Sequence, residues 1–139
     1  MTRAVLDSGV LIAGLISASG APAGLIEAVN EGRFDLVACP MLLAEIRRAL
    51  SYPKLQRYVT TEDADTFVAW IARVGVVLAD PAEIPSVTRD PDDDYLFALA
   101  VEAGADVVVS GDADVIEASG TPVPASTPRA FLNALLSGG

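Results

Sequence analysis

The chain is predicted to be a single α/β domain built on a mostly parallel β-sheet. Three observations predict it. Short apolar runs alternate with helix-patterned stretches along all 139 residues. Val107-Val108-Val109 is continuous and β-branched, as expected of a strand buried on both faces. Two runs end in an acid, at Asp7 and Asp112, and open parallel sheets bind ligands outside the carboxyl ends of their strands.

Arg3-Ala4-Val5-Leu6 reads as a central strand with Asp7 at its end. An apolar helix over 10–16 follows, with Ser8 as its expected N-cap. Pro22 suits the first turn of a helix over 23–30, which Gly32 terminates. Residues 34–38 alternate like a second strand. Pro40 opens a helix over 41–50, and Tyr52-Pro53-Lys54-Leu55 breaks it and starts a short one. Thr60 or Thr61 caps a long helix to Val74, with Phe67, Trp70, Ile71 and Val74 inward. Residues 76–78 read as a third strand and residues 80–88 as a Pro-rich surface connection. A helix over 93–103 turns Leu96, Phe97, Ala100 and Val101 inward and ends at Gly104. It leads into the strand 106–109, a short helix 115–118, an edge segment around Pro122 and Pro124, and a last helix over 129–136.

Hydrophobic residues make up 52% and aromatics 6%, so the core is aliphatic. The apolar runs are broken well before the ~20 residues a membrane span needs. A single Arg before Val5-Leu6-Asp7 does not make a signal peptide. The lone Cys39 cannot form an intramolecular disulfide and reads as a small buried hydrophobe, so a cytoplasmic setting is expected. Histidine is absent, which excludes Ser-His-Asp and Cys-His nucleophiles and His-ligated zinc. Hydrolytic chemistry would have to lean on carboxylates, which suit Mg²⁺ or Mn²⁺.

The net charge of −10 is unevenly spread: residues 1–75 hold eight acids and seven bases, residues 80–117 eleven acids and one base, Arg89. That argues against non-specific duplex DNA binding as the main activity. The densest acid stretch is Asp90-Pro91-Asp92-Asp93-Asp94, which runs straight into the apolar helix pattern of Tyr95 to Ala100. One or two acids there would serve as caps. Four repel one another, and a bound cation would relieve the repulsion.

If the strands ending at Asp7 and Asp112 are neighbours, these acids and Asp94 converge. Carboxylates holding two metal ions about 3.5–4 Å apart can activate a water and stabilise the leaving oxygen of a phosphodiester. Glu45, mid-helix, reads on pattern alone as a surface pair with Arg48 at i,i+3. Arg47, Arg48, Lys54 and Arg57, with Tyr52 and Tyr58 among them, suit either a phosphate backbone with a stacked base or a solvated face. An aspartyl-phosphate mechanism at Asp7 lacks the second acid two residues on, where Gly9 stands.

The sequence resembles the PIN-domain ribonucleases, and among them the toxins of bacterial toxin–antitoxin pairs. The resemblance runs through Val5-Leu6-Asp7-Ser8, Leu43-Ala44-Glu45-Ile46, Tyr52-Pro53-Lys54-Leu55, Asp90 to Ala100 and Val108-Val109-Ser110-Gly111-Asp112-Ala113-Asp114. It implies a PIN-like three-layer fold over the whole chain, a central mostly parallel sheet flanked by helices. It implies a metal site of Asp7, Glu45, Asp94 and Asp112, with Asp93 the rival of Asp94 and Asp114 a second candidate beside Asp112. Ser8 would steady Asp7, with Ser110 also in support. Also implied are Mg²⁺ or Mn²⁺, cleavage of single-stranded RNA, a homodimer and an antitoxin protein that occludes the site. The basic cluster would be the RNA rail. The other reading is an inactive PIN-like module that acts through protein partners.

Overall fold

The computed structural model describes residues 1–138. Five strands form one sheet: β1 (Arg3–Leu6), β2 (Asp35–Ala38), β3 (Val76–Val77), β4 (Val107–Val109) and β5 (Ala125–Ser126). Their order is β3-β2-β1-β4-β5, and every pairing is parallel. The register Leu6↔Val109 brings the last residues of β1 and β4 side by side. The loops leaving both strands therefore open together at the carboxyl end of the sheet.

Eight helices surround it: α1 (Ser8–Ile16), α2 (Ala21–Asn30), α3 (Pro40–Leu50), α4 (Pro53–Gln56), α5 (Thr61–Val74), α6 (Asp94–Ala103), α7 (Ala113–Ile116) and α8 (Pro128–Ser137). A 3₁₀ turn, Pro91–Asp93, leads into α6. Proline occupies the first turn of α2, α3, α4 and α8, where its missing N–H costs no helical bond. Helix α1 packs on α2 and α3, α2 on α8, and α3 on α5, while α6 lies against β1, β2 and β4. Parallel strands covered by helices are apolar on both faces, and Val5, Leu6, Val37, Val108 and Val109 are fully buried.

Local chemistry explains where elements begin and end. Thr60 closes a full capping box with Asp63 at the start of α5. Cys39 offers α3 no side-chain cap, and Asp80, from the Pro-rich connection, accepts the Met41 N–H at 2.8 Å instead. Gly104 ends α6 in the left-handed conformation (φ 63°). Cys39 is fully buried, and burial pushes its thiol up to about 11, which makes it an inert hydrophobe.

Three expectations need correcting. Asp7, not Ser8, is the N-cap of α1: its backbone is extended and its carboxylate accepts the Val10 N–H. Val74 and Val101 face outward, 39% and 54% exposed, and Tyr95 and Leu99 take the inner face of α6 instead. Leu96, Phe97 and Ala100 are buried as expected.

Candidate active site

Four carboxylates from four segments line one hollow of about 480 Å³: Asp7, Glu45, Asp93 and Asp112. Asp7 leaves β1, Asp112 follows β4 and caps α7, Glu45 projects from α3, and Asp93 ends the 3₁₀ turn. Ser8, Gly9, Val10, Ala13, Pro22, Gly111 and Pro128 complete the wall. The β1–β4 register is what sets Asp7 beside Asp112.

Hydroxyl groups hold two of these acids. Ser110, fully buried, donates to Asp7 Oδ2, and its oxygen accepts the Asp112 N–H at 3.0 Å. Asp7 Oδ1 accepts the Val10 N–H at 2.8 Å. Ser8 donates to Glu45 Oε1 at 2.7 Å, and Tyr95 donates to Glu45 Oε2 at 2.6 Å. Ser8 thus steadies Glu45, and the hydroxyl that steadies Asp7 is Ser110. The cap assignment explains the exchange: Ser8 is already inside α1, and α1 packs against α3, which carries Glu45.

The acidic segment divides its labour residue by residue. Asp90 caps the 3₁₀ turn through the Asp92 N–H at 3.0 Å. Asp92 is exposed and faces a second hollow. Asp93 faces the acid hollow, and its Oδ2 is buried with no hydrogen-bond partner. Asp94 is 4% exposed and absent from that wall. Its Oδ1 accepts the Val87 and Thr88 N–H groups at 3.1 and 2.7 Å and lies 2.9 Å from Thr88 Oγ1. The helix-start acid that the structure brings to the cluster is therefore Asp93, while Asp94 holds the preceding loop. Asp114 also stands off the wall, with its Oδ1 3.9 Å from Arg89 Nη1.

The electrostatics follow from this crowding. Burial is the largest influence on Asp7 and raises its pKa, as do Glu45 and Asp112, against the lowering effect of Ser110 and the Val10 N–H. Asp93 is pushed up to about 6, by burial first and then by Asp90, Asp112, Asp7 and Glu45. Like charges gathered in a partly desolvated hollow favour the neutral form. Among the described residues no three acidic side chains are spaced so as to hold a metal ion as they stand. They take hydroxyl and amide donors instead, except at the orphaned Asp93 Oδ2. An unpartnered buried carboxylate oxygen beside three further carboxylates is a donor set of hard oxygens, which fits a hard divalent cation.

The basic residues separate. Arg47 pairs with Asp65 of α5, Nε to Oδ1 at 3.3 Å. Arg48 lines the second hollow, about 380 Å³, with Met41, Glu45, Ile84, Asp92 and Tyr95. Glu45 and no other residue borders both hollows. Lys54 and Arg57 lie on and just after α4, outside both walls, with Arg57 stacked 6.0 Å from the Tyr58 ring centre. Tyr95 is the site residue that sequence reasoning missed. The available signal was a tyrosine on the buried face of a helix, since a buried phenol needs a hydrogen-bond partner.

Comparison with known proteins agrees with this architecture. The fold is shared with PAE2754 from Pyrobaculum aerophilum (TM-score 0.66, 17% identity, covering 98% of this chain and 90% of that one). It is shared too with a chain of VapBC2 from Rickettsia felis, a complex bound to a DNA fragment from its promoter (TM-score 0.61, 10% identity, 91% and 98% covered). The family model for the PIN domain matches residues 3–114, so the chain belongs to the PIN-domain family. An uncharacterized protein of Methanocaldococcus jannaschii, MJ1680, is 28% identical over 114 residues, 82% of this chain and 73% of the relative. No single helix among the described residues is long and apolar enough to cross a membrane.

Proposed function

We propose that the chain is a metal-dependent endoribonuclease that cuts single-stranded RNA, with Mg²⁺ or Mn²⁺ held by Asp7, Glu45, Asp93 and Asp112. One observation carries this reading: four carboxylates converge on one hollow, and one buried oxygen, Asp93 Oδ2, has no partner. Bound there, the cation would supply Lewis-acid activation of water and charge neutralisation at the leaving 3′ oxygen. The chain's own residues prepare the site. Ser110 orients Asp7, Ser8 and Tyr95 orient Glu45, and the Asp112 N–H fixes Ser110 in turn. Asp94 anchors residues 87 and 88, which steadies the turn that presents Asp93. Arg48, beside Glu45, is placed to take a neighbouring phosphate of the strand, with Arg47, Lys54 and Arg57 as outlying contacts.

In this reading the protein acts in the cytoplasm as the toxin of a toxin–antitoxin pair, as a homodimer, restrained by an antitoxin protein. Its PIN-domain membership and its fold likeness to a chain of VapBC2 support that context. The test is incubation of single-stranded RNA with Mg²⁺ or Mn²⁺ and wild-type or Asp7→Asn protein. Wild type is expected to yield 5′-phosphate and 3′-hydroxyl ends, and the variant none. Equal cleavage by both would reject the site.

A further inference from the structure

Glu45 is gripped from two sides. Ser8, on the wall of the acid hollow, donates to Oε1, and Tyr95, on the wall of the second hollow and not of the first, donates to Oε2. The two donors differ in burial. Ser8 carries a hydroxyl on one rotatable bond at a half-buried position, whereas Tyr95 is a 4% exposed residue on the buried face of α6. Tyr95 also sits two residues after Asp93, so one hydrogen bond ties the element that presents Asp93 to the helix that presents Glu45.

We propose that Tyr95 is a positioning residue for cation binding: it anchors Glu45 through Oε2 while the Ser8 bond to Oε1 is the one given up when a divalent cation enters. This rests on the cation site proposed above. Oε1 is the oxygen whose donor lies on the acid-hollow side, so it is the oxygen available to share with Asp7, Asp93 and Asp112. Without the phenol, Glu45 would keep only the Ser8 bond that the cation displaces, and ordering its three side-chain bonds would weaken every binding event. Removing a partner that orients a metal-binding side chain typically lowers metal affinity about 10–100-fold. Removing the group that the cation displaces should cost less.

The test is calorimetric titration of the metal-free full chain with Mn²⁺. Tyr95→Phe keeps the ring and deletes one hydroxyl, so it is expected to melt within a few degrees of wild type. It should bind Mn²⁺ about tenfold or more weakly, a larger loss than Ser8→Ala causes. Weaker Mn²⁺ binding with an unchanged melting temperature is a signature that a merely structural tyrosine would not give. Wild-type affinity in Tyr95→Phe would overturn the positioning role while leaving the cation site standing. Absence of Mn²⁺ binding by folded wild type would overturn both.

Discussion

Asp93 and Asp94 are consecutive residues whose carboxylates serve different parts of the molecule. Asp94 Oδ1 accepts from Val87 and Thr88, and Asp93 faces the acid hollow with Oδ2 unpartnered. One peptide bond therefore separates a loop anchor from a candidate metal ligand.

The two substitutions should have opposite signatures. Asp94→Ala strands buried N–H donors of the loop and should lower stability by about 1–3 kcal/mol. Asp93→Asn removes a charge from a crowded hollow and should raise the melting temperature of the metal-free protein near neutral pH, while abolishing Mn²⁺ binding and RNA cleavage. Paired thermal melts and metal titrations of both variants check this.

Stability should depend on pH in a direction set by the same crowding. The folded pKa of Asp93 is raised from 3.8 to about 6, and that of Asp7 is also raised. A raised acid favours folding in its protonated form, so its contribution is full below the ordinary value and is lost as pH rises through the folded one. Metal-free wild type should thus lose stability relative to Asp93→Asn between pH about 4 and about 7. Saturating Mn²⁺ should restore it at the upper end. Melting curves of both proteins across that interval, with and without Mn²⁺, provide the check.

The arginines should also divide. Arg47 is held by Asp65, whereas Arg48 lines the hollow next to Glu45. Arg48→Ala should weaken binding of single-stranded RNA to the Asp7→Asn protein and reduce the salt dependence by about 0.7 in the log–log slope, as for one lost phosphate contact on a single strand. Arg47→Ala should do less. Fluorescence anisotropy at several salt concentrations measures both.

Packing between the first two helices offers an independent check of the fold. A Cβ on Gly14 would lie 2.8 Å from the Pro22 carbonyl oxygen and 2.7 Å from the Ile26 side chain. The backbone atom cannot move aside without shifting α2. Gly14→Ala should therefore destabilise by about 1–3 kcal/mol, as overpacking does, and chemical denaturation would register it as a lower midpoint.

Much of this architecture was legible in the sequence because parallel α/β proteins write it in simple patterns. The run Val107–Val109 could hardly be anything but a buried strand, and Asp7 and Asp112 sit at strand ends where composition changes abruptly. Glu45 was ambiguous by spacing, since only tertiary packing of α3 against α1 turns it toward the strand ends rather than toward Arg48. The choice between Asp93 and Asp94 was beyond pattern, because both precede the same apolar helix. A three-residue 3₁₀ turn, invisible in residue composition, decides which carboxylate turns outward. The partners of Ser8, Ser110 and Tyr95 were hidden for a related reason. Ser110 and Asp7 lie 103 residues apart, and Tyr95 and Glu45 lie 50 apart, so sequence spacing carries no trace of their bonds.

The most direct test of the cation site is calorimetric titration of Mn²⁺ into metal-free wild type, Asp93→Asn and Asp94→Asn. Saturable binding by wild type that Asp93→Asn loses and Asp94→Asn largely keeps would establish that Asp7, Glu45, Asp93 and Asp112 act as one site. No binding by folded wild type, or undiminished binding by Asp93→Asn, would contradict it and turn attention to a PIN-like module that works through protein partners.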